Sequence, residues 1–357
     1  MIPDVAHLDV RHLRAILAEY DPRADLVRID RPGSGISNQV LFLTTTRDDL
    51  VLRVFADDLG TWKPQKERKI YGHMASLGIP VPFVHTVDAS RQVVPFAYSL
   101  AARLEGEPYS AVCSSLTDTE NVAIHATLGD FLGRLHTTTF DRFGDVDAGA
   151  DGLVVGPAYE LAAGGSGQTL GPFATWREMH DALVTSRLRL MRGTPFEDLI
   201  PVVEAYVVRH RDIIDREVTP RLLHMDLHRG NVLVANGRVT GVLDVEEAIV
   251  GHNEYDLMRT ELATIRGQPP AFAEAFMGAY EAHVPLDEGY ETRKDFYDVS
   301  RTLVWIRSLI LHGDAYASGL ESQSHRAARA HLLGLAAASQ PETPQSRPQV
   351  SGSASTR

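Results

Sequence analysis

Apolar positions along the chain change their period several times. In DVRHLRAILAEYDP, residues 9–22, they recur three and four apart, which predicts an amphipathic helix ended by Pro22. From residue 26 the pattern shifts to short β-rich runs, LVRID, QVLFLTTT and LVLRVF, separated by RPGSGISN and the turn RDD. A second helix is predicted over Lys63–Leu77, stopped by Gly78 with Pro80 and Pro82 beyond it. FVHTVD and VVPFAYSLAARL then read as two more strands. Residues 26–104 are thus expected to form a small, mostly antiparallel sheet with one helix.

After Glu105 the chain reads as chiefly helical. ENVAIHATLGDFLGRLH, YDVSRTLVWIRSLILHG and SHRAARAHLLGLAAA each carry an apolar stripe at helical spacing. The glycine-rich stretch Gly144–Gly171 reads as a long surface loop, and the Pro/Ser/Gln-rich end QPETPQSRPQVSGSASTR as disordered. The expected organisation is an N-terminal lobe over 1–104 with a hinge near 101–103, a helical lobe over 105–339, and a tail over 340–357. No internal repeat is visible.

A length of 357 residues favours two lobes over one core. The apolar share of 44% and charged share of 23% are ordinary for a soluble globular protein. A net charge of −12 argues against nucleic acid as a partner and would attract a cationic small molecule, although acidity also simply aids solubility. The single cysteine, Cys113, excludes an internal disulfide and suits a reducing cytosol. Its surroundings, AVCSS, offer no neighbouring base for a nucleophile. No signal peptide and no apolar run of the ~20 residues needed to cross a membrane are evident, so a cytoplasmic protein without membrane attachment is expected. Four lysines stand against 31 arginines, a bias typical of a GC-rich genome.

The chemistry concentrates in RLLHMDLHRGNVLVANGRVTGVLDVEEA, residues 221–248. Asn236-Gly237 between two β-branched runs is a strong hairpin signal, because that pair tolerates the positive φ angles of a type I′ turn. A two-residue turn would set residue 231 opposite 242 and bring Asn231 and Asp244 to one face at the open end. An amide oxygen and a carboxylate so placed can share one magnesium ion, which takes few protein ligands and fills its shell with water and phosphate oxygens. Asp226, in the loop leading in, could accept a proton from an attacking hydroxyl. Two other readings stay open on the residues alone. His224 and His228 have the spacing of a helical zinc pair, although the flanking RLL and NVLV favour strand and loop. The segment could also be a polar turn capped by its own hydrogen bonds.

HMDLHRGN fits the kinase catalytic-loop pattern H-x-D-x-x-x-x-N, with Asp244 following at the place of a second magnesium-binding aspartate. In detail, HMDLHRGNVLV, GVLDVEEA and EYDL resemble the aminoglycoside phosphotransferase and choline kinase family, whose members carry motifs close to HGDLHPGNVLV, GVIDWEDA and YDL. GSGISNQVLFLTT, LVLRVF, KERKIYGHMASLGIPVP and GDFLGRLHTTTF extend the resemblance, in order, over nearly the whole chain.

The resemblance implies a two-lobed, protein-kinase-like α+β fold, with a small antiparallel sheet in the N-lobe and a mainly helical C-lobe. It implies that Asp226 is the catalytic carboxylate and that Asn231 and Asp244 hold Mg2+. Gly33, Ser34, Gly35, Ser37 and Asn38 would lie over the phosphates of ATP or GTP. Arg53 stands where the family places a phosphate-binding lysine, Glu67 where it places that residue's partner, and Ala101, Ala102 and Arg103 form the hinge beside the base. Read alone, the glycine loop could be a plain hairpin turn and Glu67 a solvated helix residue. Three departures stand out: Met225 for a glycine, Val245 for an aromatic, and Arg53 for lysine, a fork in place of a point charge. A protein kinase is disfavoured, since Val-Glu follows Asp244 and no A-P-E segment appears.

The implied activity is transfer of a γ-phosphoryl group to a hydroxyl of a small molecule, by a monomer or dimer. An antibiotic is the first acceptor to consider. The acidic segment PLDEGYETRKDFYD, with Asp287, Glu288, Glu291, Asp295 and Asp298, could hold its positive charges, or could be a solvated helix face. A metabolite kinase for choline, an amino alcohol or a sugar is the alternative, and a nucleotide-binding scaffold without turnover is a third.

Overall fold

The computed structural model describes residues 8–32, 39–55, 63–150, 152–160, 168–317 and 321–338. The expected glycine loop, Gly33 to Asn38, and the expected tail over 340–357 lie outside the described residues.

Helix α1 (Val10–Tyr20) starts at an Asp9 capping box and turns Leu13, Ile16 and Leu17 inward. Strands β1 (Leu26–Asp30), β2 (Gln39–Thr45), β3 (Asp49–Val54), β4 (Val84–Asp88) and β5 (Tyr98–Ala102) form one antiparallel sheet in the order β1-β2-β3-β5-β4. The apolar stripe of α1 packs with Leu41, Leu43, Leu50, Leu52 and Tyr98 of this sheet. The predicted run from Val93 joins the ladder only at Tyr98. Pro95 cannot donate to a ladder, and Val94 and Phe96 instead fill the core.

Helix α2 (Lys63–Ser76), between β3 and β4, behaves differently. Its Ile70, Tyr71 and Met74 share a core with Leu128, Leu132, Val242 and Val245 of the large lobe, not with the α1 core. The chain crosses into that lobe through β6 (Glu107–Pro108) and α3 (Tyr109–Val112). Helix α4 (Asp118–Leu135) begins at a capping box, Thr117 with Glu120. It runs so close to a later helix, Pro270–Glu281, that a Cβ on Gly129 would lie 2.0 Å from the Phe276 carbonyl oxygen.

The expected loop from Gly144 to Gly171 is in fact strand-rich: β7 (Gly144–Ala148), β8 (Leu153–Gly156), β9 (Ala158–Glu160) and β10 (Gln168–Leu170). Each is too short for alternation to show, and β7 gains a partner about a hundred residues away, so the local pattern could not announce it. Helices α5 (Trp176–Met191) and α6 (Ile200–His210) follow, then β11 (Arg221–Leu223), the hairpin β12 (Val232–Ala235) and β13 (Arg238–Val242), and β14 (Ile249–Gly251). These strands complete two small sheets, β13-β12-β6 and β11-β14-β7-β8. Helix α7 (Asn253–Thr260) runs into a π-helical turn, Glu261–Ile265, and α8 (Pro270–Glu281), α9 (Tyr290–Ala317) and α10 (Glu321–Ala338) close the lobe. The result is the expected two-lobed α+β architecture. Among the described residues no helix is long and apolar enough to cross a membrane.

Candidate active site

The Asn236-Gly237 turn forms as the sequence predicts, with φ of 51° and 70° and Ala235 paired to Arg238. The register beyond it does not. A bulge after Leu233 pairs that residue with Gly241 and Val232 with Val242. The Leu243 N–H donates to the Asn231 carbonyl at 2.8 Å, so residue 231 lies opposite 243 and not 242. Strict alternation would then send Asp244 to the other face. Its φ of 64° ends the strand instead, and its carboxylate meets Arg53, with Nη2 to Oδ1 at 3.3 Å. Two local irregularities therefore replace the simple alternation argument.

The loop between β11 and β12 is held from one side by α7 and its π-helical turn. The Asp256 carboxylate, fully buried, accepts the backbone N–H groups of His224 at 2.6 Å and Met225 at 2.9 Å, and also bonds His136 Nε2 at 3.1 Å. Arg259 Nε donates to the Met225 carbonyl at 2.7 Å, and Thr264 Oγ1 to the Leu227 carbonyl at 3.2 Å. Four bonds from one nine-residue stretch, Asp256 to Thr264, thus fix the backbone on either side of Asp226. A π turn commonly marks such a functional position. The two histidines act within the loop: His224 Nδ1 accepts the Asp226 N–H at 3.2 Å, and His228 Nδ1 accepts the Gly230 N–H at 2.9 Å. In each ring Nδ1 is spent on backbone, the use that a polar, self-capped loop requires, and His228 Nε2 lies 3.6 Å from Asp226 Oδ2.

Asp226 itself is about a third exposed, its side chain at 35%. Asn231 Nδ2 donates both to its backbone carbonyl and to Oδ2, each at 3.0 Å. Burial raises the pKa of this carboxyl above the ordinary aspartate value, His228 and Arg259 act against the rise, and the Asp244 charge adds to it. A carboxylate that is a stronger base than usual suits proton acceptance from a hydroxyl. Met225, beside it, has φ of 70°, the left-handed region in which the family's usual glycine carries no penalty. The methionine side chain is buried in the core formed by Trp176, Tyr255 and Tyr297.

An ionic cluster adjoins the loop. Arg53 donates through Nη1 to Glu67 at 2.9 Å and through Nη2 to Glu246 at 2.9 Å, besides Asp244. Burial opposes the Arg53 charge, but these three carboxylates outweigh it and raise its pKa. Burial also raises the pKa of Glu67 and of Glu246, partly offset by Arg53. Buried Lys66 donates to Asp145 Oδ1 at 2.6 Å and to the Glu246 carbonyl at 3.1 Å. Among the described residues, Arg53 and Lys66 pair with Glu67, Asp145, Asp244 and Glu246, and the charge of Lys63 also acts on Glu246. The donor chemistry fits magnesium: Asn231 has committed its NH2 group to Asp226, leaving its amide oxygen, and Asp244 offers a second oxygen.

Of the predicted site residues, Asp226 and Asn231 are therefore bonded to each other, and Arg53, Glu67 and Asp244 form one cluster. Ala101, Ala102 and Arg103 lie at the end of β5, beside β3, with Ala101 paired to Val51 and Arg103 stacked 4.1 Å over Phe42. Asp256 and His136 were given no role from sequence although YDL and GRLH contain them, and Glu246, Lys66 and Asp145 carried no signal of their own. The acidic segment near the C-lobe is largely neutralised internally. Asp287 bonds Arg216 and Arg293, Asp298 bonds Arg301 at 2.6 Å and His331 at 2.9 Å, and Glu291 bonds Lys294 at 2.9 Å.

Residues 28–296 match the model of the phosphotransferase enzyme family, designated APH. The chain is 23% identical to hygromycin-B 4-O-kinase of Escherichia coli over 304 residues, which is 78% of either protein. It is 33% identical to ketosamine-3-kinase of Mus musculus over 85 residues, 24% of this chain and 25% of that protein. The crystal structure of aminoglycoside phosphotransferase APH(4)-Ia superposes with a TM-score of 0.65 at 18% identity, covering 93% of this chain and all (100%) of that one. A putative fructosamine-3-kinase from Haemophilus somnus 129PT gives 0.62 at 14% identity, with 90% and 96% covered.

Proposed function

The chain belongs to the phosphotransferase enzyme family, and from that premise we propose that it moves the γ-phosphoryl group of ATP or GTP onto a hydroxyl of an antibiotic. Residues 1–104 would serve as the nucleotide lobe and 105–339 as the lobe that carries the catalytic loop and the acceptor. The observation that carries the reading is the joined arrangement of Asp226 with Asn231 and of Asp244 with Arg53 and Glu67. In it, a base of raised pKa adjoins a pair of oxygen donors and a fixed guanidinium.

In this reading Asp226 receives the hydroxyl proton and aims the oxygen. Asn231 Oδ1 and Asp244 would hold Mg2+, which when bound would supply neutralisation of charge on the phosphates. Arg53, oriented by Glu67, Asp244 and Glu246, would bind a phosphate oxygen. Gly33, Ser34, Gly35, Ser37 and Asn38 cover the phosphates, and Ala101–Arg103 flank the base. The antibiotic acceptor rests on similarity to the hygromycin kinase, and a related crystal structure is a ternary complex with AMP-PNP and hygromycin B.

A second reading, phosphorylation of a sugar amine or similar metabolite, is favoured by a specific observation. The internal pairing of Asp287, Glu291 and Asp298 leaves less free negative charge for a polycationic drug than the sequence suggests. Incubating the protein with Mg2+, ATP or GTP and a mixed panel of aminoglycosides, hygromycin B, fructosamines, choline and sugars, followed by mass spectrometry, separates the two. One antibiotic gaining a phosphoryl group supports the first reading. Transfer only to a metabolite replaces it with the second, and nucleotide binding without any product favours a silent scaffold.

A further inference from the structure

The ionic cluster contains a pair that the phosphotransfer reading leaves without a role. Lys66, only 2% exposed, is bonded to Asp145 on β7 and to the Glu246 backbone carbonyl just beyond β13. It is also the neighbour of Glu67 on α2. The bonds close a ring: Lys66 to the Glu246 carbonyl, the Glu246 carboxylate to Arg53, Arg53 to Glu67, and Glu67 back along the helix to Lys66. Asp145 and Glu246 both belong to the large lobe, whereas Arg53 lies on the N-terminal sheet.

A buried ion pair adds little to stability when compared with apolar side chains of similar size. Its effect here is directional. Hydrophobic attraction is non-directional, and the apolar face of α2, Ile70, Tyr71 and Met74, already packs on the large lobe. Lys66 gives the helix one preferred rotation, because only that setting satisfies the ammonium with Asp145 and the Glu246 carbonyl together. The same setting presents Glu67 to Arg53. The Tyr71 hydroxyl, which accepts the Asp244 N–H at 2.9 Å, ties the next turn of α2 to the proposed metal ligand.

We propose that Lys66, Asp145 and Glu246 are positioning residues that lock α2 onto the large lobe, so that Arg53 and Glu67 are engaged before nucleotide arrives. The proposal rests on the phosphotransferase reading for its purpose, but its test needs no acceptor. Lys66→Met/Asp145→Leu removes both charges together, and Lys66→Met alone leaves Asp145 unpaired. MgATP affinity by calorimetry, melting temperature, and amide exchange over 63–76 are measured for each.

The single variant is expected to lose melting temperature and affinity together. The double variant is expected to regain most of the melting temperature, yet to bind MgATP about tenfold more weakly, as when the competent setting falls to about a tenth of molecules. Its α2 amides should exchange faster than in the wild type. A double variant that binds MgATP within about twofold of the wild type, with unchanged exchange over α2, overturns the lock. If the double variant does not fold, Asp145→Asn, which keeps the size of the side chain, decides in the same way through affinity and exchange. A wild type that binds MgATP but phosphorylates nothing in the panel sinks the transfer reading and leaves the lock standing; one that binds no MgATP overturns both.

Discussion

At the scale of single residues, Asp226 and Met225 make opposed demands on one short loop. Asp226→Ala should lower turnover by about 10²–10⁴, the range for losing a general base, while MgATP still binds, because the residues proposed to hold the nucleotide do not include it. Steady-state kinetics on the identified acceptor checks the first, and calorimetry the second. The raised pKa of Asp226 has a consequence for stability. An acid whose folded pKa lies above its unfolded value binds protons more tightly when folded, so its contribution declines as pH rises through that window. Asp226→Asn removes the charge while keeping an acceptor for Asn231, and should melt higher than the wild type at pH 7. An equal or lower melting point would show that the burial of this charge carries no strain. For Met225, backbone and side chain disagree: φ of 70° favours glycine, yet the side chain is only 5% exposed. Filling the core is worth roughly 2–5 kcal/mol and the left-handed backbone costs roughly 1–2 kcal/mol. Met225→Gly should therefore destabilise by about 1–3 kcal/mol in urea unfolding, and the methionine is held by packing against the preference of its own backbone.

At the scale of elements, the catalytic loop owes its shape to α7 more than to its own residues. Asp256 serves two N–H donors and His136 from a fully buried position, where its pKa stays below the ordinary value: burial would raise it, but the bonds from His136 and the His224 backbone outweigh that cost. Asp256→Asn replaces one acceptor oxygen by a donor facing those groups. It should lower kcat by up to about a hundredfold through misplacement of Asp226, with the MgATP affinity changed far less. Loss of nucleotide affinity in step with kcat would mean that α7 supports the whole cleft and not the loop alone. The hairpin teaches a related lesson. Its turn was legible because Asn-Gly has few alternatives, whereas its bulge was not, since Leu233 and Gly241 carry no local mark of it. The strands within 144–170 were illegible because β8, β9 and β10 are too short for alternation to show and β7 takes a second partner distant in sequence.

Across the whole molecule, buried histidines packed in the core behind the Met225-Asp226 loop contribute to proton linkage. Burial lowers His180 and His252 to about 3, with Arg187 and Arg293 adding to the effect. Between that value and the unfolded one of about 6.5, the unfolded chain binds protons that the folded chain refuses. Stability must then rise with pH through the window and be lost as pH falls below about 6.5, by about 1.4 kcal/mol per pH unit for each histidine. His180→Gln should flatten the fall in unfolding free energy between pH 6 and 4 by about one proton; an unchanged slope would place the linkage elsewhere. By itself the sequence determined the two-lobed fold, the order of its main elements, and the candidates Asp226, Asn231, Asp244, Arg53 and Glu67. The fold and element order follow from length and local period, Asn231 and Asp244 from a turn with few alternatives, Asp226 from the loop before it, and Arg53 and Glu67 only from the family resemblance of the motifs around them. Only the tertiary structure decided how these groups meet. Asp244 reaches Arg53 through a bulge and a left-handed residue, Asp256 holds backbone N–H groups 31 and 32 residues before it, and Lys66 finds partners on distant β7 and in the segment after β13. Buried charges take their partners from wherever the packed chain supplies them, and no local pattern encodes that choice.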